Sequence, residues 1–159
     1  MSSGHWNGKY YSLEHGYNSR LDELHAAILL KKLGHLDEYI ARRSEIAEKY
    51  NEELKGTGLD LPRVDEYNKH VYYVYVVSHP QRDKILKELK KRNIHLNISY
   101  PWPIHTMDGY KSLGYKEGDL PNAEKLSKTI FSLPMYPTLT DEEQNTVIES
   151  LKEILEELE

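Results

Sequence analysis

The spacing of apolar positions predicts two successive helices in the first third of the chain. Leucine, isoleucine and alanine side chains recur on one face from about Arg20 to Leu33, as expected for a helix with one buried side. Gly34 interrupts this pattern as a kink or a short break. A second helix is expected from Leu36 to Leu54, because glycines that are typical of a helix end follow it. The pattern therefore predicts a long helix, from about Arg20 to Leu54, that is broken once.

Two short strands are predicted in the middle of the chain. Residues 70–77 carry β-branched and aromatic side chains on both faces, which favours a strand that is covered on both sides. Residues 94–98 alternate apolar and polar side chains, which is typical of a short strand. Between the two strands, Pro80 is expected to open a helix that runs to Arg92.

The segment Tyr-Pro-Trp-Pro-Ile-His at residues 100–105 is expected to form a rigid loop. Its two prolines exclude the interior of a helix and a central strand. A short helix is predicted over residues 107–113, and another begins at Pro121 and ends near Phe131. Residues 132–137 are expected to be extended.

The last helix has a strong start signal, since Thr140 and Glu143 form a capping box. Its apolar stripe consists of Val147, Ile148, Leu151, Ile154, Leu155 and Leu158. Together the elements predict an α+β fold with a small antiparallel sheet flanked by helices. Residues 1–15 lack periodicity and are expected to be an irregular lead-in, of which the first five residues are interpreted as a cloning remnant.

Composition and charge restrict the classes of function. A chain of 159 residues supports one domain, two at most. The sequence shows no apolar run that spans a membrane and no secretory signal. The absence of cysteine suits a reducing cytoplasm, where we expect the protein to act. The net charge of -5 argues against a nucleic-acid partner.

The motifs of common catalytic and metal sites are missing from the sequence. It has no phosphate-binding glycine loop, no Gly-x-Ser-x-Gly elbow and no metal-ligand spacing. One local candidate is the loop before the first helix, in which Ser19 and Asp22 resemble a capping box and Asn18 precedes the cap. Such a helix start favours an anion such as phosphate. The alternative is an ordinary capped helix start that binds nothing.

Several short motifs follow one another along the chain. They are Gly16-Tyr17-Asn18-Ser19-Arg20, Ala26-Ala27-Ile28-Leu29, Tyr100-Pro101-x-Pro103-x-His105, Leu113-Gly114-Tyr115, Gly118-Asp119-Leu120-Pro121 and Leu133-Pro134-Met135-Tyr136. In this order they resemble the DegT/DnrJ/EryC1/StrS family of sugar-nucleotide aminotransferases. The resemblance covers roughly residue 10 to the C-terminus. It implies that residues 16–159 form the small C-terminal domain of the aspartate-aminotransferase fold, fold type I.

The resemblance implies that the intact enzyme has a second, larger domain that binds the cofactor covalently. In the family, a large upstream domain carries the lysine that binds pyridoxal phosphate covalently, and no motif of that domain occurs in this sequence. The parent protein is then a transaminase that moves an amino group from glutamate to a keto-deoxysugar nucleotide for polysaccharide or glycan biosynthesis. The chain by itself is expected to be inactive and to bind no pyridoxal phosphate. The motif at residues 99–105 looks most like the branch that aminates dTDP-3-keto-6-deoxyhexoses.

The resemblance also assigns residues near the cofactor. Asn18 matches a position that reaches across a dimer interface to the cofactor phosphate of the neighbouring subunit. The alternative is an asparagine that only caps a turn. Tyr17 either lines the same site and contacts substrate or has no role there.

Four residues of the proline-rich segment are candidates for substrate binding. Tyr100 and His105 match the family's loop that approaches the sugar nucleotide, and Trp102 either stacks on the substrate or packs against the loop. Ser99 departs from the family, in which many members have histidine at this position. Its hydroxyl can hydrogen-bond to a sugar or phosphate oxygen but cannot carry a charge.

Two hypotheses compete with the aminotransferase domain. One is a free-standing, non-catalytic binding or dimerisation module with the same fold. The other is an unrelated dimerising helix module, suggested by the apolar stripe from Leu21 to Leu54. Self-association, as a homodimer or otherwise, is expected through the helix that begins near Arg20 and through the tyrosine-rich faces, because large apolar surfaces seldom stay bare.

Overall fold

A computed structural model describes residues 22–158 of the chain. These residues fall into two compact units, of which the first ends at Glu38 and the second begins at Tyr39. The expected lead-in over residues 1–15 and the loop with Tyr17 and Asn18 lie outside the described residues.

The first unit contains a helix, α1 (Glu23–Leu33), and the first residues of a second helix, α2 (Leu36–Glu53). The carboxylate of Asp22 caps α1, because it accepts a hydrogen bond of 2.8 Å from the backbone N–H of His25. The helix therefore begins slightly later than predicted, since Asp22 fills the capping position that the sequence pattern assigned to Ser19.

The predicted break between the two helices is confirmed. Gly34 and the residue after it form a turn between α1 and α2. No side chain of α1 is buried within the described residues, and Leu24 and Leu30 are 71% and 72% exposed. An apolar helix without a buried face is unusual for a globular unit.

The second unit contains the rest of α2 and three more helices, α3 (Arg82–Lys91), α4 (Pro121–Thr129) and α5 (Asp141–Glu156). One hydrophobic core joins α2, α3, α5 and the sheet. Its buried residues include Ile46, Ala47, Tyr50, Leu54, Tyr75, Val77, Ile85, Leu89, Phe131, Leu133, Val147, Ile148, Leu151, Ile154 and Leu155.

The expectations for α5 are confirmed. The hydroxyl of Thr140 accepts a hydrogen bond from the Glu143 N–H at 3.1 Å, and the Glu143 carboxylate accepts one from the Thr140 N–H at 3.0 Å. The predicted apolar stripe faces the core, and only Leu158 is half-buried. The buried Gln144 donates to the Ile46 carbonyl at 2.8 Å, which fixes α5 against α2.

The sheet has two antiparallel strands, β1 (Tyr75–Ser78) and β2 (Ile130–Leu133). Each strand also forms one single-residue bridge on its other side. Asp60 forms the bridge to β1, and Asn97 forms the bridge to β2.

The predicted strands were too long. The first begins at Tyr75 rather than residue 70, because Tyr72 has a positive φ of 46° and the carbonyls of Tyr72 and Tyr73 bond to Arg43 instead of a strand. The predicted strand at residues 94–98 is wrong, since only its bridge at Asn97 pairs with the sheet.

Two helix predictions also needed correction. α4 ends at Thr129, and Phe131 lies in β2 because its side chain is buried in the core opposite Val77. The helix predicted at residues 107–113 is a 3-10 helix, Asp108–Leu113. Among the described residues, no helix is long and apolar enough to cross a membrane.

Candidate functional site

Four of the candidate residues lie on one segment, residues 99–106, which we call the proline loop. The loop leaves the sheet just after the bridge at Asn97, whose carbonyl accepts a hydrogen bond of 3.0 Å from the N–H of Ser132. It ends in a short 3-10 helix, Ile104–Thr106. The hydroxyl of Thr106 donates a hydrogen bond of 3.0 Å to the Pro103 carbonyl. A hydrogen bond to β2 thus holds the chain just before the proline loop, and a local hydrogen bond holds its last residue.

His105 is the buried anchor of the proline loop, with 7% of its surface exposed. Its Nε2 lies 2.9 Å from Oε1 of Glu124 on α4. The same oxygen accepts hydrogen bonds from the backbone N–H groups of Gly118, at 2.8 Å, and Leu120, at 3.4 Å. The ring of Tyr115 stands edge-on to the imidazole, with 6.4 Å between centroids. One carboxylate therefore joins the proline loop to the segment that precedes α4.

These contacts lower the pKa of Glu124. The hydrogen bond with His105 is the largest cause, and the Gly118 N–H is the next. A carboxylate with a lowered pKa in the folded state contributes stability above its unfolded pKa, which is 4.5 here. That contribution is lost as the pH falls through the lower, folded-state pKa.

We predict that Glu124→Gln lowers the melting temperature by several degrees at neutral pH. The neutral amide oxygen is a weaker hydrogen-bond acceptor than a carboxylate oxygen, both for the Gly118 N–H and for an N–H at Nε2 of His105. The variant should also lose less stability than the parent when the pH falls below the ordinary carboxyl range. Differential scanning fluorimetry across pH measures both effects.

Glu117→Gln is the matched control, because this carboxylate is 81% exposed and lies 4.0 Å from its cationic neighbour, Lys128. Its melting temperature should stay close to that of the parent. Equal melting temperatures for Glu124→Gln and the parent would contradict the anchoring role.

A cavity of about 640 Å³ lies beside the proline loop. We call it the lysine cavity. Its lining residues are Pro101, Trp102, Pro103, His105, Thr106, Lys111, Tyr115, Lys116, Glu117, Glu124, Ser127 and Lys128. Aromatic rings and three ammonium groups therefore border one space, and that combination suits an anionic ligand with an aromatic part.

A second cavity, of about 410 Å³, includes the first residue of the proline loop. We call it the neutral cavity, because none of its lining residues is Lys, Arg, Asp or Glu. They are Tyr73, Val74, His95, Leu96, Asn97, Ser99, Ser132, Leu133, Pro134, Met135 and Tyr136. Hydroxyl, amide and imidazole groups line this cavity, and such groups can donate and accept hydrogen bonds without a net charge.

The structure separates the predicted substrate residues into three positions. Trp102 and His105 line the lysine cavity, and Ser99 lines the neutral cavity. Tyr100 is 74% exposed and lines neither of these two cavities. Its large exposed ring is available for a contact outside the described residues.

Sequence reasoning missed the role of Arg43 on α2. Its Nη1 donates to the carbonyls of Tyr72, Tyr73 and Met135 at 2.9, 3.0 and 2.9 Å. A positive φ such as that of Tyr72 is an outlier for a bulky residue, so the surrounding structure must hold it in place. Arg43 thus holds the backbone of Tyr73 and Met135, two of the residues that line the neutral cavity. No local motif announces such a contact, because its acceptors are backbone groups far along the chain.

Comparison with known proteins identifies the class. The family description "DegT/DnrJ/EryC1/StrS aminotransferase family" matches residues 2–152, and the chain belongs to this family. A dTDP-3-amino-3,4,6-trideoxy-alpha-D-glucose transaminase from Micromonospora megalomicea is 48% identical, over 92% of this chain and 43% of that protein. The chain thus spans less than half the length of this relative.

Solved structures agree with this assignment. DesV of S. venezuelae, solved with a ketimine intermediate, superimposes with a TM-score of 0.90 at 35% identity, over 95% of this chain and 41% of that one. NtdA of Bacillus subtilis, solved with bound PMP, gives a TM-score of 0.82 at 27% identity, over 94% and 36%. The predicted fold is therefore confirmed as the C-terminal part of this aminotransferase fold, with a small antiparallel sheet.

Among residues 22–158, the lysine cavity offers amines but no enclosed carboxylate that is free for the ring nitrogen of pyridoxal phosphate, so these residues do not by themselves complete a site for this cofactor. This cofactor needs an amine that binds it covalently, an acidic group at its ring nitrogen and donors for its phosphate. The most enclosed carboxylate of the lysine cavity, Glu124, is already held by His105 and Gly118. No group of three histidine or acidic residues among residues 22–158 is arranged to hold a metal ion.

Proposed function

We propose that the chain is the C-terminal domain of a pyridoxal-phosphate aminotransferase that acts on a keto-deoxysugar nucleotide, with glutamate as amino donor, in the cytoplasm. The observation that supports this proposal is the family match over residues 2–152, together with relatives that are named as sugar-nucleotide transaminases. The chain covers only 43% of the first of these relatives, so it would act as one part of the enzyme. Alone, it is expected to be inactive.

In this proposal each candidate residue has a separate role. Asn18 binds the cofactor phosphate of a neighbouring subunit, and Tyr17 lines the same site. Tyr100, with its exposed ring, contacts the substrate from the proline loop. Ser99 offers a neutral hydroxyl to a sugar oxygen in the neutral cavity.

The two remaining residues face the lysine cavity. Trp102 is 68% exposed and offers a ring on which a planar group can stack. His105 holds the proline loop, because its Nε2 is engaged with Glu124. It contributes to ligand binding only as part of the lining of the lysine cavity.

A chimera tests the proposal. The chain is joined to the part of the Micromonospora megalomicea transaminase that it does not cover, and amino transfer from glutamate to that enzyme's dTDP-linked keto sugar is measured. The chimera should form the amino sugar, and the chain alone should form none. A folded chimera without activity would contradict the proposal. So would a chain that is trapped by borohydride on a single lysine after mixing with pyridoxal phosphate.

We predict that Asn18→Ala in the chimera raises the dissociation constant for pyridoxal phosphate about tenfold, which is the expected cost of one hydrogen bond to a charged group. Asn145→Ala is the matched control, because Asn145 is an exposed asparagine on α5. Fluorescence titration with the cofactor measures both values. If both variants bind the cofactor like the parent, Asn18 has no role at the phosphate.

The exposed face of α1 favours a second candidate function, a dimerisation module without catalysis. The two candidates make opposite predictions for the chimera. A module of this kind would associate with a second copy and would leave the chimera inactive.

A further inference from the structure

The lysine cavity has the composition of a nucleotide site. We propose that it binds a nucleoside diphosphate, with the diphosphate at Lys111, Lys116 and Lys128 and the base against Trp102. This inference rests on the proposed function, because it assigns a place on this chain to the nucleotide half of the sugar nucleotide.

The local charge of the cavity opposes that of the whole chain. Three lysines border the cavity although the chain carries a net charge of -5. Lys111 pairs with Asp108 at 2.7 Å and Lys128 lies 4.0 Å from Glu117, and both pairs are largely exposed. Exposed pairs of this kind are weak, so a diphosphate can displace their carboxylates.

Lys116 is the strongest of the three candidates. Its ammonium forms no ion pair among residues 22–158, whereas its backbone is fixed by a hydrogen bond of 3.0 Å from its N–H to Asp119. The most enclosed carboxylate of the cavity, Glu124, already accepts hydrogen bonds from backbone N–H groups and contacts His105, so its charge is compensated within the protein. The lysine ammonium groups therefore supply the charge that a ligand in this cavity would contact.

The walls of the cavity suit a nucleoside. Trp102 and Tyr115 are 68% and 51% exposed and offer ring faces on which a base can stack. A volume of about 640 Å³ lies within the usual range for small-molecule sites. The neutral cavity lacks lysine and arginine and cannot neutralise a diphosphate in this way.

A fluorescence titration tests the proposal on the chain itself. The sequence has two tryptophans, and Trp6→Phe leaves Trp102 as the only one. We expect dTDP to quench the Trp102 emission saturably. Inorganic pyrophosphate should compete with dTDP but leave the emission unchanged, because it has no base to stack.

Variants of the lysines locate the site. In the Trp6→Phe background, Lys116→Gln combined with Lys128→Gln should weaken dTDP binding about tenfold, because two charge-assisted contacts are lost. The matched control combines Lys125→Gln with Lys90→Gln, which removes the same charge from α4 and α3 at positions outside the cavity. It should change binding less than about twofold, as expected for exposed charges at a distance.

Three results would overturn the inference. They are an absence of saturable quenching by dTDP, equal weakening by the cavity and control variants, and quenching by pyrophosphate as strong as that by dTDP. The chimera assay keeps these results separate from the proposed function. If the chimera is active and its dTDP affinity is unchanged by the Lys116 and Lys128 substitutions, only this nucleotide site is disproved. An inactive chimera that retains the lysine-dependent dTDP binding disproves the transaminase proposal and leaves the nucleotide site standing.

Discussion

Arg43→Met should lower the free energy of unfolding by about 3 kcal/mol, as expected when a charged donor is removed from three carbonyl groups of which some are partly buried. Methionine keeps the apolar stem of the side chain and removes only the guanidinium. The carbonyls of Tyr72 and Met135 then lose their donor, and the positive φ of Tyr72 loses its support. Urea denaturation followed by circular dichroism gives the free energy directly.

Two variants make this prediction specific. Arg42→Met removes the neighbouring arginine, which forms surface ion pairs with Glu45 and Asp141 and donates to only one carbonyl, that of Leu139, so it should cost less. Arg43→Lys keeps the charge but cannot reproduce a planar guanidinium that reaches two chain segments, so it should fall between the parent and Arg43→Met. An unchanged urea midpoint for Arg43→Met would show that the contact with three carbonyls contributes nothing.

The second large effect concerns the exposed face of α1. Leu29 and Leu33 line an apolar groove of about 550 Å³ within the first unit, together with Ala26, Leu30, Lys32 and Leu36. We expect the chain to self-associate through this face, because the groove offers almost only carbon to water. Replacing both Leu29 and Leu33 by lysine should raise the dissociation constant at least about a hundredfold, since each buried leucine contributes roughly 1.5 kcal/mol or more.

Sedimentation velocity over a range of concentrations measures this association. Leu113→Lys is the matched control, because Leu113 is 64% exposed on a 3-10 helix outside the groove. It should leave the association unchanged. A parent chain that sediments as a monomer at high concentration would contradict the predicted self-association.

The elements that sequence predicted well are those that local signals define. The capping box at Thr140 and Glu143 specifies the start of α5, and the period of its apolar residues specifies the buried side. The break after α1 follows from a single glycine. In each case the deciding atoms lie within a few residues of one another.

The failures share the opposite property. Residues 70–74 have high strand propensity, but the acceptors that a neighbouring strand would use are taken by Arg43. The family resemblance selected His105 as a candidate, but its partner Glu124 lies on another element and no spacing rule predicts their contact. The two cavities depend on such long-range contacts. The sequence pattern therefore predicted the proline loop but not the two cavities that it lines.

The single-residue bridges on either side of the sheet bear on aggregation. A two-stranded sheet leaves two edges, and an open edge can pair with a strand of another molecule. Here Asp60 exchanges two backbone hydrogen bonds with Ser78 on one edge, at 3.0 and 3.1 Å, and Asn97 takes the N–H of Ser132 on the other. An incoming strand would have to displace these contacts before it could add to the sheet. The two bridges therefore oppose the addition of a strand from another molecule, which is the step by which fibrils grow, also at high protein concentration.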